Sequence, residues 1–541
     1  MFHADNVLRR PNANLRRRKR HRSGPEHLNG RREASIVKAV GDARGIATRT
    51  LRAMFWAYGS FLGARFLSFT ATAILARLII PEDFGLVALA LIAMAFIDIF
   101  SGLGVGEALI IVNEDEAEEK AETAFAVTVL VGFVSGAALA IFGPVAAAFF
   151  DQSELVEMMP VLGVTFVLRG LGGTHAALAQ KRLDFRSRSA AELADAGMRG
   201  AVSVVLALTG AGVWSLVIGY VVGSAAWSIT LWLLVSWRPR FRPRRAHLRS
   251  LLSFGGPLTG VNVMGAFLSQ FDYVVIGRVL GTAQLGFYSI ANRIPELFIG
   301  SLGAVGGRVL FPAFASLRSD DVPRAFLTSL RYTALLVLPL TLYFVIFAEP
   351  LTIALLGQQW RPSIEAMQVL CLWVGVGTLG QVCGDAFKGR GRVDLIVILA
   401  VPQAVVLVIG SLALVERGII AVAWVRVGVV MCAVPIAILI AQRLFRLRFR
   451  AVVEALRPAL VGGTGLALVL LVIERAISRP WPAVLAGACA GAVVYLGLIL
   501  LLAPDTLKML KATAFPRTPA DEPENTLLRK PTDVIDERHT F

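Results

Sequence analysis

The chain is poor in the residues that polar surfaces and covalent cross-links require. Charged residues make up 17% of its 541 residues, below the roughly 25% of a soluble domain. Its four cysteines lie inside apolar stretches without paired or metal-like spacing, so no disulfide framework, redox motif or cysteine-bound metal is predicted. Hydrophobic residues reach 56% and the mean hydropathy is +0.67. These values indicate an integral membrane protein.

The sequence also lacks segments that ATP-driven or secreted proteins carry. No Gly-Lys-Ser/Thr phosphate-binding loop occurs, which argues against ATP-driven transport by this chain alone. Residues 1–52 contain no apolar core, so we expect no cleavable signal peptide there. Their arginine-rich stretch (RRPNANLRRRKRHR) predicts a disordered cytoplasmic tail attracted to anionic lipid. The net charge of +16 arises mostly from residues between apolar segments, so membrane lipid and not nucleic acid is the expected partner.

Apolar segments long enough to cross a membrane recur along the chain after residue 52. Because these runs are continuous and not alternating, they predict helices and not a barrel. We therefore predict an all-α polytopic fold with about 14 transmembrane helices. The predicted helices begin near Ala53, Phe84, Thr123, Leu155, Ala191, Trp214, Leu251, Leu285, Tyr332, Ile364, Val393, Ile419, Ala459 and Ala483.

Lysine and arginine concentrate in alternate loops, and this bias sets the orientation of a membrane protein. The loops after the fourth, sixth, eighth, tenth and twelfth predicted helices are basic, whereas the intervening loops hold far fewer cations. Both termini are therefore predicted to be cytoplasmic. One loop disagrees with the rule, because Asn113–Lys120 (NEDEAEEK) is acidic although this topology makes it cytoplasmic.

An internal repeat relates two halves of the chain. A shift of 201 residues places ARLIIPEDFGLVAL, residues 76–89, on GRVLGTAQLGFYSI, residues 277–290. The shift superimposes an arginine and a glycine in each copy, namely Arg77 on Arg278 and Gly85 on Gly286. Six predicted helices separate equivalent positions, an even number. The halves therefore share one orientation and are related by an axis along the membrane normal.

The first copy of the repeat carries Glu82 and Asp83, which could be interpreted as a catalytic pair. The second copy has Ala283 and Gln284 at these positions, so the repeat does not preserve the carboxylates. We interpret the stretch as a hairpin between helices, in which the carboxylates complement a helix N-terminus and the glycine allows close packing. The repeated arginines are expected to extend to the lipid head groups.

Five motifs in sequence order together resemble the Wzx-type lipopolysaccharide and exopolysaccharide flippases, in the branch similar to colanic-acid and succinoglycan exporters. The motifs are LARLIIPEDFGLVALA, GLGVGEALI, FDYVVIGRVLGTAQLGFYSIANRI, GGRVLFPAFASL and LLGQQWRPSIEAMQVL. This branch belongs to the multidrug/oligosaccharidyl-lipid/polysaccharide exporter superfamily, and the resemblance covers roughly residues 51–503.

The resemblance implies two six-helix lobes around a central cavity, followed by two further helices. The expected segments are a basic tail (1–52), an N-terminal lobe (53–237), a cytoplasmic linker (238–250), a C-terminal lobe (251–442), two extra helices (443–503) and a cytoplasmic tail (504–541). It also implies a multi-pass protein of the bacterial inner membrane that is not an enzyme and has no cofactor or bound metal. The implied substrate is an undecaprenyl-diphosphate-linked oligosaccharide for surface polysaccharide, moved by alternating access. Polysaccharide polymerase and chain-length proteins are further expected partners.

Arginines inside predicted helices are the candidate substrate-binding residues, because a guanidinium stays charged and its forked donors match phosphate oxygens. Arg65 lies mid-helix and its repeat equivalent is Ala266, an asymmetry that favours function. Arg293 could line the cavity or pair with Glu296 on one helix face. Two further candidates are Arg169 and Arg426, whereas Arg199 could instead pair with Asp195.

Two other sets of charges carry hypotheses. Glu107 and Arg308 are equivalent in the repeat and are candidates for a cytoplasmic gate, with independent contact to the membrane interface as the alternative. Asp98, Asp272 and Asp385 lie among apolar neighbours and are candidates for ion coupling. For Asp272, a structural role between helices is equally consistent with the sequence.

Two other functions stay open on the sequence alone. A multidrug or cation antiporter of the same superfamily should have an acidic and aromatic site, whereas arginines outnumber carboxylates at mid-helix positions here. A polytopic glycosyltransferase or polymerase would use the first hairpin's carboxylates, but such enzymes need a long external loop and the chain shows none.

Overall fold

The computed structural model describes residues 59, 63–101, 105–111, 114–182, 184–240, 244, 256–477 and 479–502. All repetitive secondary structure within these ranges is helical, as the apolar runs predict. The two predicted tails and most of the predicted linker lie outside the described residues.

The described part of the first half of the chain forms helices α1 to α7. They span 63–78 (α1), Pro81–Ser101 (α2), Val105–Ile111 (α3), Glu114–Phe150 (α4), Leu155–Lys181 (α5), Phe185–Leu208 (α6) and Val213–Leu234 (α7). Small residues let α4 and α5 approach closely. A Cβ atom at Gly136 would lie 2.6 Å from the carbonyl oxygen of Gly163 on the facing helix.

The second half repeats this arrangement with one long, interrupted helix. Its helices are Gly256–Val279 (α8), Gly281–Pro295 (α9), Ser301–Ser316 (α10), Val322–Ile346 (α11), Ala348–Leu355 (α12), Ile364–Gly389 (α13), Val393–Leu414 (α14) and Ile419–Leu444 (α15). A π-helical turn, Glu296–Gly300, joins α9 to α10 without a break. Helices α16 (Phe449–Ala476) and α17 (Pro480–Leu502) follow, and α16 packs on α11.

Ten helical segments in the described part of the chain are long and apolar enough to cross a membrane. They lie at the third, fourth, sixth and eighth to fourteenth predicted positions. The other four predicted positions, the first, second, fifth and seventh, correspond to α1, α2, α6 and α8. Helical residues are thus described at all of the predicted positions, but the described parts of these four helices do not meet the length and hydropathy criteria, so the count of 14 transmembrane helices stays a prediction.

The two halves meet at the glycine that the repeat preserves. A Cβ atom at Gly85 of α2 would lie 1.8 Å from the Thr282 carbonyl oxygen, and one at Gly286 of α9 would lie 1.9 Å from the Pro81 oxygen. Both distances are far below van der Waals contact, so each helix start packs directly on the backbone of the other. We call this side of the molecule, where the α1–α2 and α8–α9 turns lie, the hairpin end.

Gly85→Ala is expected to disrupt the contact between α2 and α9, because backbone atoms cannot yield as a flexible side chain does. We expect a loss of about 1–3 kcal/mol in the free energy of unfolding, the usual range for overpacking. The measurement is the thermal aggregation midpoint of the detergent-purified protein. Gly428→Ala is the matched control, since nothing lies within 4 Å of its added Cβ atom. Equal midpoints for the two variants would contradict the close approach.

The acidic stretch that disagreed with the charge rule forms the start of α4 and contacts basic residues from two other connections. Arg182, after α5, lies 3.8 Å from Glu118, and Arg244 lies 2.9 Å from Glu119. The Arg240 amide also donates to Glu122 at 2.7 Å. We call this side the linker end. Because three connections meet there, the acidic stretch neutralises neighbouring arginines and lies on the same side as they do.

Candidate functional site

Side chains from each half bind the free helix-end carbonyls of the other half at the hairpin end. The last carbonyls of a helix have no intrahelical donor, and a cation next to them is favourable. Arg77 of α1 donates to the Leu355 carbonyl at the end of α12 through Nε at 3.1 Å, and its Nη2 donates to Ala354. Arg77 is exposed and has protein partners as well, and its extension to the lipid head groups stays a prediction. Its repeat equivalent Arg278 also reaches the other half, with its guanidinium 5.7 Å from the centre of the Phe149 ring.

The reciprocal contact comes from a 3-10 turn, Gln358–Ser363, before α13. Trp360 Nε1 donates to the Ala76 carbonyl at 2.7 Å, and the Gln359 side chain donates to the same oxygen. The Trp360 ring is fully buried between Phe84 of α2 and Phe287 of α9, with edge-on centroid distances of 5.3 and 5.9 Å. These contacts hold the hairpin end closed in this structure.

Trp360→Phe is expected to favour opening of the hairpin end, because it keeps the aromatic packing and removes the donor to Ala76. Losing a hydrogen bond of about 1 kcal/mol shifts a two-state population about fivefold. The measurement is labelling of Ser289→Cys, a cavity position, by a membrane-impermeant maleimide added on the hairpin side, with Cys432 and Cys489 replaced by serine.

Trp424→Phe serves as the control for that measurement, since Trp424 is half-exposed on the outer face of α15. Labelling that rises equally in both variants, or in neither, would show that the Trp360 hydrogen bond does not hold this end closed.

A cavity of about 920 Å³ lies between the two halves, below the closed hairpin end. Helices α1, α2, α6 and α7 form one wall, and α8, α9, α10, α13, α14 and α15 form the other. Four arginines and one carboxylate are among the described lining residues, namely Arg65, Arg199, Arg293, Arg426 and Glu296. Hydroxyl, amide and aromatic groups complete the polar part of the lining, including Tyr220, Tyr273, Trp373 and Gln381.

A second cavity of about 640 Å³ adjoins the first, nearer the linker end, where α5 ends and α6 begins. Its described lining includes six arginines, namely Arg65, Arg169, Arg188, Arg199, Arg293 and Arg308. Two carboxylates, Glu192 and Asp195, accompany them. Because Arg65, Arg199 and Arg293 line both cavities, the two spaces adjoin and share a strongly cationic boundary.

Arg65 and Arg293 lie on facing helices at the junction of the two cavities. Arg293 was predicted either to line the cavity or to pair with Glu296. Both side chains belong to the described residues, and no ion pair joins them. The helix changes from α to π geometry at Glu296. Arg293 is exposed and lines both cavities. Short π-helical turns are frequent at functional sites, and this one lies in the cavity wall.

Arg169 and Arg199 share one carboxylate. Asp195 accepts from Arg169 Nη2 at 2.9 Å and from Arg199 Nη2 at 2.7 Å. The pairing of Arg199 with Asp195 that the sequence left open is thus formed, and Arg169 joins it.

Arg426 forms a buried ion pair and not an accessible cation. Its Nη2 lies 2.6 Å from Asp272 Oδ1, and the two side chains are 2% and 0% exposed. The same guanidinium stacks on Trp373 at 4.1 Å and donates to the Ser269 carbonyl at 2.8 Å, while Tyr288 donates to the other oxygen of Asp272. This network joins α15 to α8 and α9. It favours the structural interpretation of Asp272 over ion exchange, and it commits Arg426 to Asp272 although Arg426 borders the first cavity.

The other predicted residues are dispersed. Asp98 is exposed on α2, and neither cavity includes it among its described lining residues. Asp385 is buried in α13, where its carboxylate lies 3.9 Å from Lys388. Glu107 lies on the short helix α3 and not on α2, and its side chain is outside the described residues. Arg308 lines the second cavity. The gate and the ion-coupling assignments stay predictions.

The sequence did not single out Asp195, Tyr220, Trp227 and Arg188 as cavity groups. A signal for the first existed, since Asp195 stands one helical turn before Arg199. Tyr220 and Trp227 gave no such signal in the sequence, because tyrosine and tryptophan are common in membrane helices whether or not they line a cavity.

The repeated helical halves and the charged cavity between them define a multi-pass membrane transporter. The family model described as "Polysaccharide biosynthesis protein" matches residues 74–365, more than half of the chain. The protein belongs to this family.

Two curated relatives and one solved structure agree with this assignment. The succinoglycan biosynthesis transport protein ExoT of Rhizobium meliloti is 28% identical over 491 residues, covering 88% of this chain and 98% of the relative. The lipopolysaccharide biosynthesis protein WzxC of Escherichia coli is 25% identical, covering 60% of this chain and 66% of the relative. The lipid II flippase MurJ in an inward closed conformation superposes with a TM-score of 0.69 at 12% identity, covering 84% of this chain and all of that one. The predicted all-helical, two-lobed fold is confirmed.

Proposed function

We propose that this protein is a flippase that moves an undecaprenyl-diphosphate-linked oligosaccharide across the bacterial inner membrane for surface polysaccharide synthesis. The observation that carries the proposal is the pair of adjoining cavities between the halves, lined by arginines that include Arg65, Arg169, Arg199 and Arg293. The names of the relatives, a succinoglycan transport protein and a lipopolysaccharide biosynthesis protein, support the same substrate class.

The physical problem of such transport is to draw a diphosphate and a sugar chain through hydrocarbon without breaking a bond. An isolated charge in the bilayer is costly, so the path must supply water and opposite charge. Guanidinium groups supply that charge and bind phosphate oxygens with forked donors. The first cavity adds neutral hydroxyl and amide groups, which suit a glycan. We therefore place the diphosphate at the junction of the cavities and the glycan in the larger one.

The two competing functions fit the cavity less well. An antiporter for organic cations needs negative charge, whereas the carboxylates of the described lining are outnumbered by arginines and Asp195 is already bonded to two of them. For a glycosyltransferase or polymerase, the proposed carboxylates Glu82 and Asp83 stand in the first turn of α2, where they complement the helix N-terminus.

The direction of transport rests on the proposed topology. With the linker end in the cytoplasm, the closed hairpin end faces the periplasm and the second cavity lies toward the cytoplasmic side, where lipid-linked units are made. Polysaccharide polymerase and chain-length proteins would then act on the periplasmic product.

A deletion strain tests the function directly. We expect loss of surface polysaccharide, with the completed lipid-linked oligosaccharide accumulating on the cytoplasmic side. Accumulation of an incomplete lipid-linked unit would indicate an enzyme and overturn the proposal. Unchanged polysaccharide together with raised sensitivity to cationic drugs would indicate the antiporter.

If Glu107 and Arg308 form the proposed gate, export depends on opposite charges at these two positions and not on which position carries which charge. Glu107→Arg and Arg308→Glu are each expected to reduce export, and the double variant should restore it because the pair is re-formed with exchanged partners. The measurement is surface polysaccharide normalised to the amount of protein in the membrane. Two inactive, well-expressed single variants without rescue in the double variant would eliminate the pairing.

A further inference from the structure

One carboxylate, that of Asp195, forms ion pairs with two of the cavity arginines. Asp195 lies on α6, Arg169 on α5, and Arg199 one turn further along α6. Asp195 bonds both, at 2.9 Å to Arg169 and 2.7 Å to Arg199, and its side chain is 17% exposed against 45% and 27% for the arginines. The carboxylate therefore lies behind two guanidinium groups that are more accessible than it is.

The surrounding residues fix this arrangement in place. The Arg199 guanidinium stacks 4.2 Å from the centre of the Tyr220 ring, and that of Arg169 lies 5.4 Å from the Trp227 ring. A Cβ atom at Gly223 of α7 would lie 2.4 Å from Asp195 Oδ1, so this glycine makes room for the carboxylate. Guanidinium groups stacked on aromatic faces and bonded to carboxylate lose little further freedom when they bind an anion.

The charge balance of the second cavity gives Asp195 a second effect. The other lining carboxylate, Glu192, lies 3.3 Å from Arg188 at the cytoplasm-proximal start of α6 and contacts neither Arg169 nor Arg199 through a described ion pair. Asp195 thus reduces the positive charge at the point where the two cavities meet. A transported group must be bound strongly enough to enter and weakly enough to leave.

We propose that Asp195 is a positioning residue that orients Arg169 and Arg199 and keeps the affinity of the cavity for a diphosphate low enough for release. This inference rests on the proposed function. It predicts a specific kinetic pattern: without the carboxylate, the anion binds more tightly and leaves more slowly.

The experiment uses the full-length protein in lipid nanodiscs and in proteoliposomes. Inorganic pyrophosphate is the binding probe, measured by calorimetry, and transport of a lipid-linked oligosaccharide gives KM and kcat. For Asp195→Asn we expect about tenfold tighter pyrophosphate binding, because the substitution removes a nearby negative charge that repels the anion. We expect both KM and kcat for transport to fall, since the substrate binds more tightly and leaves more slowly. Asp195→Glu keeps the charge and should restore weak binding and most of kcat.

Glu192→Gln is the matched control, because it removes the same charge from the same helix and cavity without touching the two arginines. We expect a smaller gain in affinity and a smaller fall in kcat than in Asp195→Asn. Equal effects of Glu192→Gln and Asp195→Asn would overturn the inference in favour of general electrostatics. Weaker binding and lower kcat in Asp195→Asn, without a lower KM, would indicate a merely structural role and also overturn it.

Failure of the proposed function gives a different result. If the wild-type protein bound no pyrophosphate and moved no lipid-linked oligosaccharide, both proposals would fall. If the wild-type protein did both and Asp195→Asn matched it in every constant, only the role of Asp195 would be contradicted.

Discussion

Arg65→Ala is expected to reduce export of surface polysaccharide at least about tenfold, with the lipid-linked precursor accumulating. Arg65 lies on α1 and lines both cavities, opposite Arg293 on α9. A charge-assisted hydrogen bond contributes about 1.5–3 kcal/mol, so removing one contact to a diphosphate lowers its binding by a factor of ten or more. Export is measured in a deletion strain that carries the variant, normalised to the amount of protein in the membrane.

Two further variants make the Arg65 result specific. Arg65→Lys retains the charge but not the forked donors, so we expect an intermediate loss. Arg450→Ala removes a surface arginine that is 89% exposed and paired with Glu454 at 3.0 Å, so we expect normal export. Normal export in well-expressed Arg65→Ala would remove this arginine from the substrate path.

Asp272→Asn is expected to lower the free energy of unfolding by about 3–5 kcal/mol, because it leaves a buried guanidinium without its counter-ion. The partner, Arg426, is 2% exposed although it borders the first cavity, so Asp272 is its main source of compensating charge. Replacing both members of the pair, Asp272→Leu with Arg426→Met, should recover most of the loss, since no buried charge remains. The measurement is the thermal aggregation midpoint in detergent.

Asp385→Asn is the matched control for this prediction. Asp385 is also buried, but its partner Lys388 is 3.9 Å away and half-exposed, so we expect a clearly smaller shift in the midpoint. A different result would contradict the structural interpretation of Asp272. It is that Asp272→Asn leaves the midpoint unchanged and abolishes the part of transport that an ion gradient drives. That result would support the ion-coupling hypothesis instead.

The parts of the fold that depend on local sequence were predictable. Apolar length marked the helices, and the repeated Gly85 and Gly286 marked the point where two helix starts meet, because only glycine permits so close a backbone approach. The acidic start of α4 was recognised as inconsistent with the charge rule. Its explanation required the structure, because the Arg244 guanidinium that pairs with Glu119 follows it by 125 residues, and the Arg240 amide that donates to Glu122 follows it by 118 residues.

The candidate site was only partly predictable, for the same physical reason. Charge inside a membrane helix identified Arg65, Arg169 and Arg293, since such charge is costly and rarely accidental. The sequence did not distinguish these accessible arginines from Arg426, which also lies inside an apolar helix. Arg426 pairs with Asp272, which is 154 residues away in the chain. Arg77 shows the same limit, because its partner carbonyl at Leu355 is 278 residues distant. Partner identity is set by tertiary packing, which local patterns do not contain.

Transport by the purified protein tests the central claim most directly. Full-length protein is reconstituted into proteoliposomes that contain an undecaprenyl-diphosphate-linked oligosaccharide, and a membrane-impermeant glycosidase added outside reports how much of the glycan becomes accessible. We expect the wild-type protein to expose the inner-leaflet pool, and Arg65→Ala to expose it at least about tenfold more slowly. Exposure at the same rate in protein-free liposomes, or in vesicles with either form of the protein, would contradict this expectation.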